Sequence, residues 1–174
     1  MLYIVNQFIG GKAMTPGIRN MTSVYFIKED KILCLFRIGS RIADQMYIGA
    51  AGGHFEEGEM ASPEKCILRE MKEELNLTES DITDLRLRYI TSRLKNNEIR
   101  QNYYFFARLK TDLPLKSNEG TLKWISLDEF KDIKMPVSAK HMMMHYLREG
   151  KDNLYLYAGI TEQGETKFTV LREF

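Results

Sequence analysis

Acidic residues crowd into one short stretch of the chain, 52–77, which reads GGHFEEGEMASPEKCILREMKEELNL and holds seven of the 24 acidic residues. Three of them, Glu70, Glu73 and Glu74, fall within five consecutive positions. Like charges at such spacings destabilise a helix by about a few tenths of a kcal/mol per pair. A hard divalent cation offsets this repulsion, because Mg²⁺ prefers oxygen ligands and is often held by one or two carboxylates plus substrate phosphates. The spacing alone is compatible with a Mg²⁺ site, but it favours a solvated acidic face, and the rest of the stretch has to decide between them.

The segment that carries these carboxylates has the start and stop signals of an α-helix. Ser62 is suited to cap an unpaired amide of the first turn, Pro63 suits the first helical position, and Glu64 faces the positive helix end. Asn76 tolerates the left-handed conformation that closes a helix. The sequence therefore predicts a helix between Ser62 and Asn76.

The two faces of this helix differ in composition. At about 100° per residue, Leu68, Met71 and Leu75 share one stripe, and the three carboxylates fall on the opposite one. Arg69 lies four residues before Glu73 and can pair with it, but one arginine does not neutralise three acids. We expect the apolar stripe to pack and the acidic stripe to present its carboxylates at the surface.

The wider stretch resembles the Nudix box. The pattern begins with a glycine, five residues of any type and a glutamate. Seven more residues of any type follow. The pattern ends with Arg-Glu, an apolar residue, any residue, Glu-Glu, any residue, a glycine and an apolar residue. Two departures occur, since nine residues separate Glu59 from Arg69 and Asn76 replaces the final glycine. The extra residues lie ahead of Ser62 and leave the helix register unchanged. The matching positions are Gly53, Glu59, Arg69, Glu70, Met71, Glu73, Glu74 and Leu77.

The resemblance implies a metal-dependent hydrolase of nucleoside diphosphates linked to another group, with Mg²⁺ or Mn²⁺ as its cofactor. Carried over position by position, it makes Glu70, Glu73 and Glu74 catalytic metal ligands. It also implies that the backbone carbonyl of Gly52 or Gly53 completes the ligand set.

The same resemblance gives two further roles. Arg69 and Glu59 orient the metal-binding carboxylates, which places Arg69 in the catalytic set. Many members of the family also carry a glutamate before the strand that holds a tryptophan, where it serves as base or further ligand. Glu119 in KSNEGTLKW occupies that place, and a loop acid beside a turn glycine is the equal alternative.

Residues outside the box are candidates for substrate binding. Arg37 and Arg41 lie near a strand end where family members often carry a basic residue that contacts phosphate, and exposed strand-end charge is the alternative. Aromatic residues in strands mostly pack in a core, but they can also stack on a base. The candidates for stacking are Phe26, Tyr47, Tyr103 and Phe105.

The substrate is predicted from the segments that follow the box. ITSRLKN (90–96) lacks the proline of the ADP-ribose branch and the tyrosine of the dinucleoside polyphosphate branch, whereas WISLDEF followed by KMPVSAK resembles the mutator-type branch. That branch cleaves nucleoside triphosphates, including oxidised ones, to monophosphate and pyrophosphate. Val137 and Ser138 stand where one version of it reads the purine with two aspartates, so preference for an oxidised base is not implied. The alternatives are a nucleotide-sugar or other diphosphate pyrophosphatase and a non-catalytic nucleotide-sensing module.

Composition limits the classes of partner and compartment. The net charge of +1, without a clustered basic stripe, argues against long nucleic acids as partners. The apolar runs are too short to span a bilayer, and the first residues lack the pattern of a secretory signal. Two cysteines, Cys34 and Cys66, are too few for a disulfide framework. We expect a soluble cytoplasmic protein that binds a small nucleotide, with both thiols reduced and in the core.

The order of elements predicts an α+β fold of the Nudix type, an α/β/α sandwich with a mixed β-sheet. Residues 22–27 with 31–38 and residues 85–94 with 99–109 read as two hairpins, and 138–149 reads as a second amphipathic helix. We interpret 1–174 as a single domain in which 153–174 forms a C-terminal strand pair. The exposed edge of that pair is suited to forming a homodimer.

Overall fold

The computed structural model describes residues 16–38, 44–111 and 114–171. Within these ranges, eight strands form one mixed sheet and two α-helices pack on it. The strands are β1 (Gly17–Lys28), β2 (Lys31–Arg37), β3 (Met46–Gly49), β4 (Ile82–Lys95), β5 (Glu98–Leu109), β6 (Gly120–Ser126), β7 (Leu156–Glu162) and β8 (Glu165–Leu171). The helices are α1 (Pro63–Leu75) and α2 (Val137–Arg148), with short 3₁₀ helices at Glu79–Asp81, Leu127–Lys131 and Gly150–Asp152.

The strand order is β3-β2-β1-β5-β4-β7-β8, and β6 pairs with β2. The parallel pairs are β1 with β5 and β4 with β7, and the other neighbours are antiparallel. Both predicted hairpins, β1 with β2 and β4 with β5, are confirmed. Their first strands begin earlier than predicted, at Gly17 and Ile82. The added residues of β1 pair with β5 in a parallel ladder that periodicity does not reveal. Those of β4 pair with the end of β5, before a register shift that breaks the alternation.

Two hydrophobic cores lie on opposite faces of the sheet because successive strand residues point to opposite sides. Val24 and Phe26 of β1 pack with Met71 of α1, whereas Tyr25 between them packs with Met142 of α2. This arrangement of helix, sheet and helix confirms the α/β/α sandwich. Both cysteines are buried and free, as predicted. No helix of the described residues is long and apolar enough to cross a membrane.

The position of the glycine-rich turn before α1 follows from a split in the pairing of β1. β1 pairs with β2 only near their shared turn, from Phe26 opposite Leu33 to Lys28 opposite Lys31. The earlier part of β1 instead meets residues 51–54 through the isolated bridges Val24–Ala51 and Met21–His54. The turn that contains Gly52 and Gly53 is thereby fixed against the central strand.

Helix α1 begins and ends where predicted, with Ser62 before Pro63 at its start, but the cap at its start differs. Asn76 has φ 55° and ψ 29°, and its amide donates to the Lys72 carbonyl at 3.1 Å, so the left-handed cap is confirmed. The predicted side-chain cap at Ser62 is wrong, because its hydroxyl makes no capping hydrogen bond. The Lys65 amide donates to the backbone carbonyl of Ser62 at 3.0 Å, and this turn replaces the side-chain cap.

Candidate active site

An open cleft of about 400 Å³ lies between α1, the turn at 52–56 and the ends of β2 and β6. It collects eight of the residues that sequence analysis selected, from four separate segments of the chain. They are Arg37, Gly52, Gly53, Arg69, Glu70, Glu73, Glu74 and Glu119.

The three box carboxylates differ in exposure, and the prediction that they share a face opposite the packed stripe is wrong. Glu70 is buried, Glu74 is half-buried and Glu73 is exposed, and Leu68 of the predicted apolar stripe is only partly buried. The packed face is centred nearer Ile67 and Met71 than Leu68, which puts Glu70 and Glu74 on its margin. The buried residues of α1 are Cys66, Ile67, Glu70, Met71 and Leu75.

The Arg69 guanidinium organises the carboxylates around it. Its Nε and Nη2 donate to the two oxygens of Glu59 at 2.9 and 3.1 Å. Its Nη1 donates to Glu70 Oε1 at 2.8 Å and to Glu73 Oε2 at 3.0 Å. The longer loop between Glu59 and Arg69 therefore does not separate the two side chains. Hydrogen bonds from Arg69 lower the pKa of the Glu59 carboxyl to about 2.

We expect Arg69→Lys to lower the free energy of unfolding by about 1 to 3 kcal/mol, because an ammonium group does not reproduce the two parallel hydrogen bonds to Glu59. Arg148→Lys is the matched control, since Arg148 lies on α2 and its side chain is 69% exposed. Urea unfolding of both variants measures the difference. An equal small loss in the two variants would show that the Arg69–Glu59 pair contributes little.

The two glycines of the turn are held by different neighbours. A Cβ at Gly53 would lie 2.3 Å from Glu70 Oε1, so that carboxylate packs directly over the glycine. Gly52 has φ +152°, and a Cβ there would lie 2.2 Å from the Thr22 carbonyl oxygen. The Gly52 amide donates to Glu74 Oε2 at 3.1 Å, and the Gly53 carbonyl accepts a hydrogen bond from the Thr22 amide at 2.8 Å.

Negative charge in the cleft is only partly balanced. Burial raises the pKa of Glu74 to about 7, the Gly52 amide opposes this shift, and the charges of Glu119 and Glu70 add to it. Burial also raises the pKa of Glu70, and Arg69 acts in the opposite direction. Glu119 pairs with Arg37 at 2.9 Å. The donor set is made of oxygen atoms and carries excess negative charge, which suits a hard divalent cation.

The carboxylates are nevertheless not arranged as a finished metal cage. Among the residues that the structure describes, no three acidic, histidine or cysteine side chains converge on a common point where a metal ion fits. The reason is visible at Arg69, whose Nη1 holds one oxygen of Glu70 and one of Glu73. A cation at this place competes with the guanidinium for the same oxygens.

The remaining substrate-binding candidates divide between the two faces of the sheet. Tyr47 packs on Phe36 with ring centroids 4.9 Å apart and joins the core beneath α2, so it does not line the cleft. Tyr47 lies opposite Phe36 in the pairing of β2 with β3 and shares its face of the sheet. Arg37, the next residue of β2, points to the opposite face and lines the cleft. Tyr103 meets Phe55, a cleft residue, edge-on at 5.2 Å. Arg41 lies outside the described residues.

Two aromatic candidates belong to the core, and four cleft residues were not selected. Phe26 and Phe105 are buried beneath α1. The unselected residues are Met21, His54, Phe55 and Glu56. Phe55 follows the box glycines closely enough to have been a candidate, whereas Met21 reaches the cleft only through the bridge of β1 to residue 54.

Solved structures share this fold. A MutT protein from Bacillus halodurans aligns with a TM-score of 0.64 and 22% identity, over 87% of this chain and 97% of that one. A MutT protein from Methanosarcina mazei Go1 aligns with a TM-score of 0.65 and 16% identity, over 80% and 99%. An Ap4A hydrolase from C. elegans aligns with a TM-score of 0.60 and 15% identity, over 79% and 99%.

Sequence comparison identifies the family. No curated protein matches the chain. The family model of the NUDIX domain matches residues 19–146, a range that includes the box, the cleft and most of both cores. The chain therefore belongs to the Nudix family, whose hydrolases act on phosphoric anhydride bonds.

Proposed function

We propose that the chain is a divalent-metal-dependent pyrophosphohydrolase that converts a nucleoside triphosphate, with or without an oxidised base, to a monophosphate and pyrophosphate. The observation that supports this most directly is the crowding of four carboxylates, Glu70, Glu73, Glu74 and Glu119, in one cleft. The two arginines that line the cleft, Arg37 and Arg69, do not balance all four of these charges. A carboxylate cluster of this kind is suited to bind a cation together with substrate phosphates.

We assign Mg²⁺ or Mn²⁺ to Glu70, Glu73 and Glu74. The Gly52 carbonyl is a better further ligand than that of Gly53, which already accepts a hydrogen bond from the Thr22 amide. When bound, the cation supplies charge neutralisation at the bridging oxygens and a lower pKa for the attacking water. Arg69, held by Glu59, keeps Glu70 and Glu73 oriented. Binding of a cation to these two carboxylates would replace part of the hydrogen bonding that they receive from Arg69.

Glu119 is the candidate general base. It lies in the same cleft as Glu74, its negative charge raises the pKa of that residue, and it reaches the cleft from the loop before β6. Arg37 pairs with it at 2.9 Å and positions its carboxylate. In this role Glu119 accepts the proton of the water that attacks phosphorus, and Arg37 is placed to contact a phosphate oxygen of the substrate.

We expect Glu119→Gln to lower kcat by about 10²- to 10⁴-fold with a small change in KM, because an amide does not accept the proton. Steady-state kinetics on the substrate found by the assay below measures both constants. Glu129→Gln is the control, since Glu129 is an exposed acid that caps the 3₁₀ helix after β6. A Glu119→Gln variant with the kcat of the unaltered protein would remove Glu119 from the reaction.

The choice of nucleoside triphosphate rests on two supports. The solved structures with the same fold include two that are named MutT, and one that is named an Ap4A hydrolase. The residues after the box resemble the C-terminal half of the mutator-type branch, except at Val137 and Ser138, and lack the markers of two other branches. A nucleotide sugar or another diphosphate is the second candidate. Retention of all the box carboxylates disfavours a sensing module without turnover.

We also propose that 1–174 acts as a single domain. β7 and β8 form an antiparallel hairpin that extends the sheet beside β4. A homodimer through the β8 edge stays a prediction, as does a cytoplasmic location.

A panel assay with Mg²⁺ tests the proposed function. Canonical and oxidised nucleoside triphosphates, ADP-ribose, nucleotide sugars and dinucleoside polyphosphates are incubated with the protein, and the products are separated by chromatography. Monophosphate plus pyrophosphate from a triphosphate supports the proposal. Turnover of another diphosphate alone would replace the substrate, and tight nucleotide binding without turnover would favour the sensing module.

A further inference from the structure

A second cavity lies on the α2 side of the sheet, between β4, β5 and the turn that follows α2, with a volume of about 270 Å³. It includes Ile27 of β1, whereas the carboxylate cleft includes Met21 of the same strand. Six residues of a strand span about 20 Å, so the two sites are separate. The basic residues that line the second cavity are Arg86, Arg88, Arg108 and Lys151.

Arg88 is the central feature of this cavity because it is only 5% exposed. Its Nε donates to the Tyr155 carbonyl at 3.0 Å, and its Nη2 donates to the Gly150 carbonyl at 2.8 Å and to Asn153 Oδ1 at 3.3 Å. All three acceptors are neutral. Buried arginines are normally paired with an opposite charge, but Arg88 makes no ion pair within the residues that the structure describes. A buried cation is thus left without an anion.

A β-bulge in β4 places Arg88 and Tyr89 on the same side of the sheet. The register of β4 against β5 shifts between Leu87 and Tyr89, so β4 has one extra residue there. Leu87 packs beneath α1 and Tyr89 packs beneath α2. Alternation after Leu87 puts Arg88 on the α2 side, where it bonds the turn after α2, and the extra residue puts Tyr89 on that side as well.

The other charges of the cavity do not neutralise Arg88. The acid of the lining is Asp84, and its Oδ2 lies 3.9 Å from the Nε of Arg108 at a mostly exposed position. A single acid balances at most one of the four basic residues. Phe106 and Tyr146, stacked at 4.2 Å, form a rigid aromatic wall beside them.

We propose that this cavity binds the phosphate group of a small anion. Arg88 donates to the turn through Nε and Nη2, which leaves its Nη1 for a phosphate oxygen. The planar fork of Arg86 matches the oxygens of a phosphate, and Lys151 supplies additional charge at the mouth. Inorganic phosphate, pyrophosphate and a nucleoside monophosphate share this chemistry. The site is independent of the hydrolysis proposed above, and its ligand is held by the side chains of β4, β5 and the turn after α2.

Isothermal titration calorimetry in EDTA tests the proposal, with inorganic phosphate, pyrophosphate and AMP as three separate titrants and without any divalent cation. We expect at least one of the three to bind the full chain, and the tightest of them identifies the source of the phosphate group. Arg86→Gln is expected to weaken that binding about tenfold, because a charge-assisted hydrogen bond is lost. Both Arg86 and the control residue Lys95 are exposed and lie on β4, so Lys95→Gln removes the same charge outside the cavity and leaves affinity unchanged.

Three results would overturn the proposal. Absence of binding by all three titrants at millimolar concentration is the first, and equal affinity of Arg86→Gln and the unaltered protein is the second. The third is loss of binding in Arg37→Gln with no loss in Arg86→Gln, which would place the anion in the carboxylate cleft. Arg88 also holds the turn at 150–155, so a substitution of Arg88 would disturb that turn as well as the cavity. The test therefore uses Arg86 instead. Since the titrations need no turnover, they can fail while the hydrolase activity stands.

Discussion

Glu74→Gln is expected to lower kcat/KM for the nucleotide substrate by about 10³-fold while the protein stays folded. The loss follows because Glu74 is one charged ligand of the proposed cation. That cation stabilises the charge that develops in the transition state by several kcal/mol. The fold is retained because glutamine keeps an oxygen that can accept the hydrogen bond from the Gly52 amide. The raised pKa of Glu74 shows that its ionised form is disfavoured where it lies. The Tm in EDTA should therefore be equal to that of the unaltered protein or higher.

Two measurements separate a metal-binding role of Glu74 from a structural one. Mg²⁺ raises the Tm of a protein that binds it in the folded state, and this rise should shrink in Glu74→Gln. Glu64→Gln is the matched control, because Glu64 is exposed on the same helix and does not line the cleft. Normal activity of Glu74→Gln with Mg²⁺ present would remove this residue from the metal site, and a large drop in Tm would make it a structural residue.

Local signals in the sequence predicted α1 well, but they did not predict which of its faces is buried. Pro63 and Asn76 act on their own turns of the helix, so the bounds can be derived without knowledge of the fold. The orientation depends on what the sheet offers, and there Ile67 and Cys66 pack more deeply than Leu68. Apolar spacing alone does not distinguish these residues, which is why Glu70 was expected at the surface and is buried.

Residues that reach a site through pairing between distant strands were the hardest to predict. The parallel ladder of β1 with β5 and the bridge of Met21 to His54 involve segments far apart in the chain. The bulge that places Arg88 and Tyr89 on the same side of the sheet leaves no mark in the sequence, where β4 reads as a regular alternation. Tyr47 was misplaced for a related reason, since strand pairing sets which face of the sheet it joins.

Gly53→Ala is expected to abolish most activity, by about 10²-fold or more, with a smaller effect on stability than the same change at Gly52. The added methyl group of Gly53→Ala would lie 2.3 Å from Glu70 Oε1 and 2.7 Å from Oε2, so the carboxylate has to move. A misplacement of about 1 Å in a catalytic group is enough for a loss of this size. Gly52→Ala instead meets the backbone oxygen of Thr22 at 2.2 Å, at φ +152°, and that backbone cannot yield without disturbing β1.

The comparison of the two alanine variants tests whether the turn supports the site or the fold. Gly53→Ala should bind Mg²⁺ more weakly in titration calorimetry and keep most of its Tm, whereas Gly52→Ala should lose several degrees of Tm, about 2 to 4 °C for each kcal/mol in a chain of this size. Gly17→Ala is the control, because a Cβ there meets nothing within 4 Å. If Gly53→Ala bound Mg²⁺ and turned over substrate like Gly17→Ala, the position of Glu70 over Gly53 would not matter for catalysis.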